Sequence, residues 1–172
     1  MQFHFETVAL GELVQKTVQS NLGYAQNFGV GIAYEMSATQ EINVRVDAQR
    51  FIQVLSNLLS NAIKFSREKG HVDLRVFVDD DQARVEVQDY GIGISEEFKS
   101  SIFQKFTQED AKAARKYAGT GLGLSLSKTM IEKMGGQIGF SSVETQGSVF
   151  FIILPIFSVS NKAAAMPSAT DA

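Results

Sequence analysis

Apolar and polar positions alternate along the chain in two periods that divide it into strands and helices. "FHF" at residues 3–5 predicts a short strand. From Leu10 to about Ala25, Leu13, Val14, Thr17, Val18 and Leu22 recur at three- and four-residue intervals, which predicts an amphipathic helix. "VGIAYEMS" and "EINVRVD" alternate with period two and read as half-buried strands that begin the sheet. Asp47 then stands where an N-cap belongs, ahead of a helix from Ala48 to about Ser66.

"HVDLRVFVD" and "ARVEVQD", separated by a polar turn, predict a hairpin with Val72, Leu74, Val76 and Val78 on one face and Asp73, Arg75 and a partly covered Phe77 on the other. Ser95, with Glu96 and Glu97, is placed to cap a short helix. The polar stretch after Ile102 has no sustained period and predicts a mobile loop, with residues 107–118 its least ordered part. A helix from about Leu122 to Met134 follows, ended by Gly135 and Gly136 at a left-handed stop. "QIGFSSVE" and the continuously apolar "GSVFFIILPIF" predict two closing strands, the second central in the sheet and ended by Pro155. Strands with helices between them, and two hairpin connections, predict an α+β fold. It is a two-layer α/β sandwich: a mixed, mostly antiparallel sheet with helices on one face, not a doubly wound sheet.

Composition adds bounds. At 172 residues, with 44% hydrophobic and 20% charged, the chain fits one domain with a proper core, residues 1–157. Residues 158–172, "SVSNKAAAMPSATDA", lack a periodic apolar face and predict a disordered tail or linker stub. A net charge of −3 without a basic tract argues against nucleic acid as a partner. The absence of cysteine removes disulfides, thiolate metal sites and a cysteine nucleophile. No apolar run is long enough to span a bilayer, so a cytoplasmic domain without direct membrane insertion is expected.

The helix from Ala48 carries the first candidate chemistry. Phe51, Ile52, Val54, Leu55, Leu58, Leu59, Ala62, Ile63 and Phe65 fill one arc; Arg50, Gln53, Ser56, Asn57, Ser60, Asn61 and Lys64 fill the other. A solvated face is usually built from Glu, Lys and Arg, whereas asparagine is a mediocre helix former. Asn57 and Asn61 lie one turn apart with Lys64 a further turn along. Two amide carbonyls and an ammonium on one face suit a magnesium–polyphosphate site.

"VQDYGIGIS" ends a strand with Asp89, a possible acceptor for an exocyclic amine such as adenine's, followed by Gly91 and Gly93. Its plainer reading is an ordinary turn. In "GTGLGLSLSK", Gly119, Gly121 and Gly123 run into a helix start, where free N–H groups favour phosphate. Alone, they equally suit a loop joining a helix.

Taken in order, "NLLSNAIKFS", "DYGIGI", "FQKF" and "GTGLGLSLSK" resemble the N box, first glycine box, F box and second glycine box of the catalytic ATP-binding domain of bacterial sensor histidine kinases. That domain belongs to the superfamily shared with DNA gyrase, mismatch-repair ATPases and a heat-shock chaperone. The resemblance covers about residues 3–157 and implies a Bergerat-type ATP-binding fold with ATP and Mg2+ as ligands. It implies that Asn61 is the magnesium ligand, that Asn57 and Lys64 contact phosphates, and that Asp89 hydrogen-bonds the adenine amino group. It also implies that Gly91, Gly93 and Ile94 shape the pocket. Phe103 and Phe106 look like the F-box aromatics at the lid base, with Phe106 also on the nucleotide side. Arg115 looks like a lid residue reaching the γ-phosphate, and Tyr117 lines the adenine side. The resemblance likewise implies that Gly119, Thr120, Gly121, Leu122, Gly123 and Leu124 form the lid hinge and the phosphate-facing helix start.

Two departures matter. Hydrolytic relatives carry glutamate where Asn57 stands, and an amide cannot activate water, so transfer to a protein nucleophile is favoured over hydrolysis. Tyr90 stands where the family often has asparagine. His4 and His71 both lack the context of an acceptor histidine and read as structural. The resemblance therefore implies a protein-histidine kinase domain, with Asn57, Lys64 and Arg115 as its catalytic residues. Its partners are a separate dimerisation and histidine-phosphotransfer domain and a response-regulator receiver domain, and the isolated domain is expected to be monomeric. An anti-sigma-factor-type serine kinase and a nucleotide-binding regulatory module without turnover are the alternatives, separable by where label from ATP arrives.

Overall fold

The computed structural model of the chain describes residues 1–38, 40–104 and 123–157. Its elements run β1 (Glu6–Ala9), α1 (Leu10–Asn27), β2 (Gly31–Met36), β3 (Asn43–Val46), α2 (Ala48–Phe65), β4 (His71–Asp79), β5 (Gln82–Asp89), α3 (Glu96–Lys99), α4 (Gly123–Lys133), β6 (Gln137–Val143) and β7 (Gly147–Pro155).

Five strands form one sheet in the order β2-β4-β5-β7-β6, parallel between β2 and β4 and antiparallel elsewhere. Period-two patterning decides its faces. Val72, Leu74 and Val76 of β4 and Ala83, Val85 and Val87 of β5 are buried beneath the helices, while Asp73, Arg75, Arg84 and Glu86 lie half-exposed on the other face. The fold is thus an α+β two-layer sandwich with a mixed, mostly antiparallel sheet. β7 runs inside the sheet between β5 and β6, and Pro155 is its last residue.

α2 binds the layers together. Phe51, Val54, Leu55, Leu58, Leu59, Ala62 and Ile63 are buried along one side, each of the larger side chains contributing roughly 2 kcal/mol through removal from water. Asp47 caps the helix: Oδ1 accepts from the Arg50 N–H at 3.1 Å, and Oδ2 accepts from the His4 N–H at 2.9 Å. α4 ends at Gly135, whose φ of +79° is the left-handed stop, with the Gly136 N–H closing on Ile131 O at 3.0 Å.

Several expectations are corrected. The first strand is Glu6–Ala9, not residues 3–5: its ladder begins at Glu6 opposite Val46, because the next residue, Asp47, turns away to cap α2. β3 pairs only with β1 in a separate two-stranded sheet, so it is not beside β2. On α1, Leu22 is 42% exposed and its neighbour Asn21 is buried, donating from Nδ2 to Thr17 O at 2.8 Å. On α2, Ile52 and Phe65 are only half-buried. Val78 is exposed near the tip of its hairpin. Ser95 occupies the N-cap of α3 without a side-chain capping bond. The expected mobile lid, residues 107–118, and the tail, residues 158–172, lie outside the described residues.

Asp47→Ala is expected to cost about 2 kcal/mol, since it removes the helix cap and the partner of the His4 N–H. The hydrogen bond from His4, followed by that from Arg50 and the Arg50 charge, holds the Asp47 carboxyl below its ordinary 3.8. A depressed value contributes stability above the unfolded pKa and loses it as pH falls through the folded one. The gap between wild type and Asp47→Ala in urea unfolding should therefore narrow below about pH 4.

Candidate functional site

The polar arc of α2 is not a solvated face. Ser56, Asn57, Ser60, Asn61 and Lys64 are all half-buried, because α1 and α4 pack beside α2. Asn21 Nδ2 lies 3.4 Å from Ser56 Oγ, and Asn57 Nδ2 donates to Ser127 Oγ at 3.3 Å, tying α2 to α1 and α4. Gly123, the first residue of α4, fits so closely that a Cβ would stand 2.7 Å from Asn57 Oδ1. Asn61 differs from its neighbour one turn earlier: its Nδ2 is buried and has no hydrogen-bond partner. Leaving such a group unmatched costs about 1–3 kcal/mol.

Asp89, the last residue of β5, is 6% exposed. Its Oδ1 accepts from the Gly91 N–H at 3.0 Å, and its carboxylate also accepts from the Ser148 N–H. Burial outweighs these donors and pushes the carboxyl up from 3.8 to about 6. Gly91 is required by packing: a Cβ there would meet the Phe65 carbonyl oxygen, at the end of α2, at 1.8 Å. Gly93 has φ +69° and lies against the Val143 backbone. The glycines thus bring the β5 turn against the end of α2 and the β6–β7 hairpin.

Between these elements lies one cavity, to which Asn61, Asp89, Gly93, Ile94 and Leu124 all contribute. Asn57 and Gly123 are in contact beside it. Lys64 is on the same arc of α2, with its Nζ 5.8 Å from the Phe65 ring centroid. Phe103 packs on Phe140 and Phe150, with ring centroids 5.6 and 6.3 Å away. Phe106, Arg115, Tyr117, Gly119, Thr120, Gly121 and Leu122 lie outside the described residues. Sequence reasoning missed Ser148 and Phe65 as cavity residues. Ser148 is recognisable only from the register that sets it opposite Asp89, and Phe65 was assigned to the core arc.

Residues 46–158 match the family described as histidine kinase-, DNA gyrase B-, and HSP90-like ATPase. The chain is 39% identical over 148 residues to the circadian input-output histidine kinase CikA of Synechococcus elongatus, a match covering 86% of this chain and 20% of that protein. It therefore spans about a fifth of that relative's length. The nucleotide-free catalytic domain of histidine kinase ThkA superposes with a TM-score of 0.75 at 30% identity, covering 89% of this chain and 96% of that domain. ThkA in complex with the response regulator TrrA matches at a TM-score of 0.71 and 28% identity, covering 88% of this chain and 41% of that one.

The raised Asp89 value means that the fold favours the protonated carboxyl. Its contribution is full below about pH 4 and is lost as pH rises through about 6, a change on the order of 2–3 kcal/mol. Asp89→Asn should abolish this dependence, so that the ligand-free variant gains stability relative to wild type between pH 4 and pH 7. Urea unfolding across that range checks it; parallel profiles would show that the carboxylate carries no such cost.

Proposed function

The chain belongs to the family of histidine kinase-, DNA gyrase B-, and HSP90-like ATPases, and from that premise we propose that it binds Mg-ATP and presents the γ-phosphoryl group to a histidine on a separate helical dimerisation domain. The observation that carries this reading is one cavity lined by both a buried carboxylate, Asp89, and the half-buried amide of Asn61, whose Nδ2 is buried without a partner. The adenine amino group would donate to Asp89 and offset its burial. Asn61 supplies a hard amide oxygen of the kind magnesium accepts. Among the described residues no three His, Cys, Asp or Glu cluster as a metal cage. A single amide oxygen fits an ion shared with phosphate oxygens and water, magnesium's usual habit. When bound, the ion would offset charge on the β- and γ-phosphates.

Lys64 and Arg115 are assigned to the phosphates, where positioned positive charge stabilises the transferring group. Asn57 has no carboxylate with which to activate water, which favours transfer over hydrolysis. The acceptor imidazole is already a nucleophile when neutral: its nitrogen forms the N–P bond as the bond to the bridging oxygen of ADP breaks. A receiver domain would take the phosphoryl group onward, a proposal supported by the ThkA–TrrA likeness. A cytoplasmic setting suits ATP, and no helix among the described residues is long and apolar enough to cross a membrane.

Nucleotide titration tests the site. Asp89→Asn should weaken ATP by about 1.5–3 kcal/mol, roughly 10- to 100-fold, and unchanged affinity sinks the assignment. Asn61→Ala should remove the gain in ATP affinity that magnesium gives the wild type. Incubation with γ-labelled ATP and a dimerisation domain supplied in trans should place label on the histidine of that domain. Label on serine, or binding without transfer, would favour the serine-kinase or regulatory-module readings instead.

A further inference from the structure

Tyr90, between Asp89 and Gly91, has a role that adenine recognition alone does not assign. Its side chain leaves the Asp89 cavity: the ring packs against His71 at 5.1 Å between centroids, and the hydroxyl donates to Asp73 Oδ2 on β4. Asp73 is held in turn by Arg75 Nη2 at 3.3 Å and lies 3.6 Å from His71 Nε2. Its side chain is only 16% exposed. Arg75 is fixed at its other end, where Nη1 donates to Gln88 Oε1 at 2.8 Å.

The position of this cluster in the ladder gives it meaning. β4 and β5 pair as far as Asp73 opposite Gln88, so the β4 ladder stops one residue before Asp89. On the other side Asp89 still pairs with Ser148, and the β6–β7 hairpin lies flush against it: a Cβ on Gly147 would stand 2.1 Å from Asp89 O and 2.8 Å from Tyr90 Cα. The Asp89–Tyr90 peptide is therefore held by backbone towards β7, and towards β4 by the Tyr90 hydroxyl. The hydrogen bond to the Asp73 carboxylate is the largest influence on the phenol and pushes its pKa up.

We propose that Tyr90 is a positioning residue for base recognition: by tying the end of β5 to Asp73, it holds the Asp89 carboxylate at the angle that accepts from the 6-amino group of the purine. The inference rests on the proposed role of Asp89. Tyr90 is not among the residues that line the cavity, and its effect passes through the peptide it shares with Asp89. The effect should therefore appear only with nucleotides that use the Asp89 acceptor.

The test compares ATP with purine riboside triphosphate, which lacks the 6-amino group, by titration into wild type, Tyr90→Phe, Asp73→Ala and the double variant. Tyr90→Phe keeps the ring against His71 and removes only the hydroxyl. ATP affinity is expected to fall about three- to tenfold, with purine riboside triphosphate unchanged. Asp73→Ala, which removes the acceptor, should reproduce most of that loss, and the double variant should add little to it. Equal losses for both nucleotides would overturn the proposal in favour of a general structural role, as would no loss for either while Asp89→Asn weakens ATP. Unchanged ATP affinity in Asp89→Asn itself would overturn the adenine assignment and this inference together.

Discussion

The seating of α2 across the sheet is the constraint on which the site depends. Phe51, Leu55, Leu58, Leu59 and Ile63 are each at most 2% exposed, so the helix cannot roll about its axis without drawing several large apolar groups into water. With that roll fixed, Asn57 and Asn61 must face α4 and the cavity. The Asp47 cap fixes the other coordinate, where the helix starts. Rotation and start together set the height of Asn61 beside the end of β5, and the Phe65 carbonyl at the far end is the surface against which the Gly91 turn closes.

Against this well-packed frame, the cavity breaks the ordinary rules of an interior. It holds a buried carboxylate with a raised pKa and a buried amide nitrogen, Asn61 Nδ2, without a partner, both of which cost stability. A domain built for stability alone would replace both with apolar groups. Their presence together, where two helices and a strand end meet, is the arrangement expected of a candidate ligand site: a carboxylate held at a cost in burial beside an amide N–H without a partner. The surrounding core, from Val54 and Leu55 to Ile152 and Leu154, carries that cost.

Those elements whose signals are local were legible in the sequence. α2 had a full apolar arc and a capping aspartate, the β4–β5 hairpin had strict alternation, and α4 had a glycine at its stop. The asparagine stripe stood out because its residue types do not suit a solvated helix face, and the four motifs in order pointed to the family. What sequence could not supply was register and neighbourhood. β3 has the pattern of any half-buried strand, and nothing local says that it joins β1 rather than β2. Leu22 and Asn21 both fit the margin of the α1 face; Asn21 is inside because the Thr17 carbonyl receives its amide. Ser148 reads as a residue of a central strand until pairing sets it opposite Asp89.

The placement of the chain's two histidines bears on where the phosphoryl group goes. The His4 N–H meets Asp47 at the start of α2, fourteen residues before Asn61, which at 1.5 Å per residue is about 20 Å along the helix. His71 opens β4, and its ring packs on Tyr90, whose side chain points away from the Asp89 cavity. Neither residue lines the cavity. In-line transfer demands a nucleophile within about 3–3.5 Å of the reacting phosphorus. Since neither imidazole is among the residues that line the cavity, their placement supports the proposed reading in which the acceptor arrives on another domain.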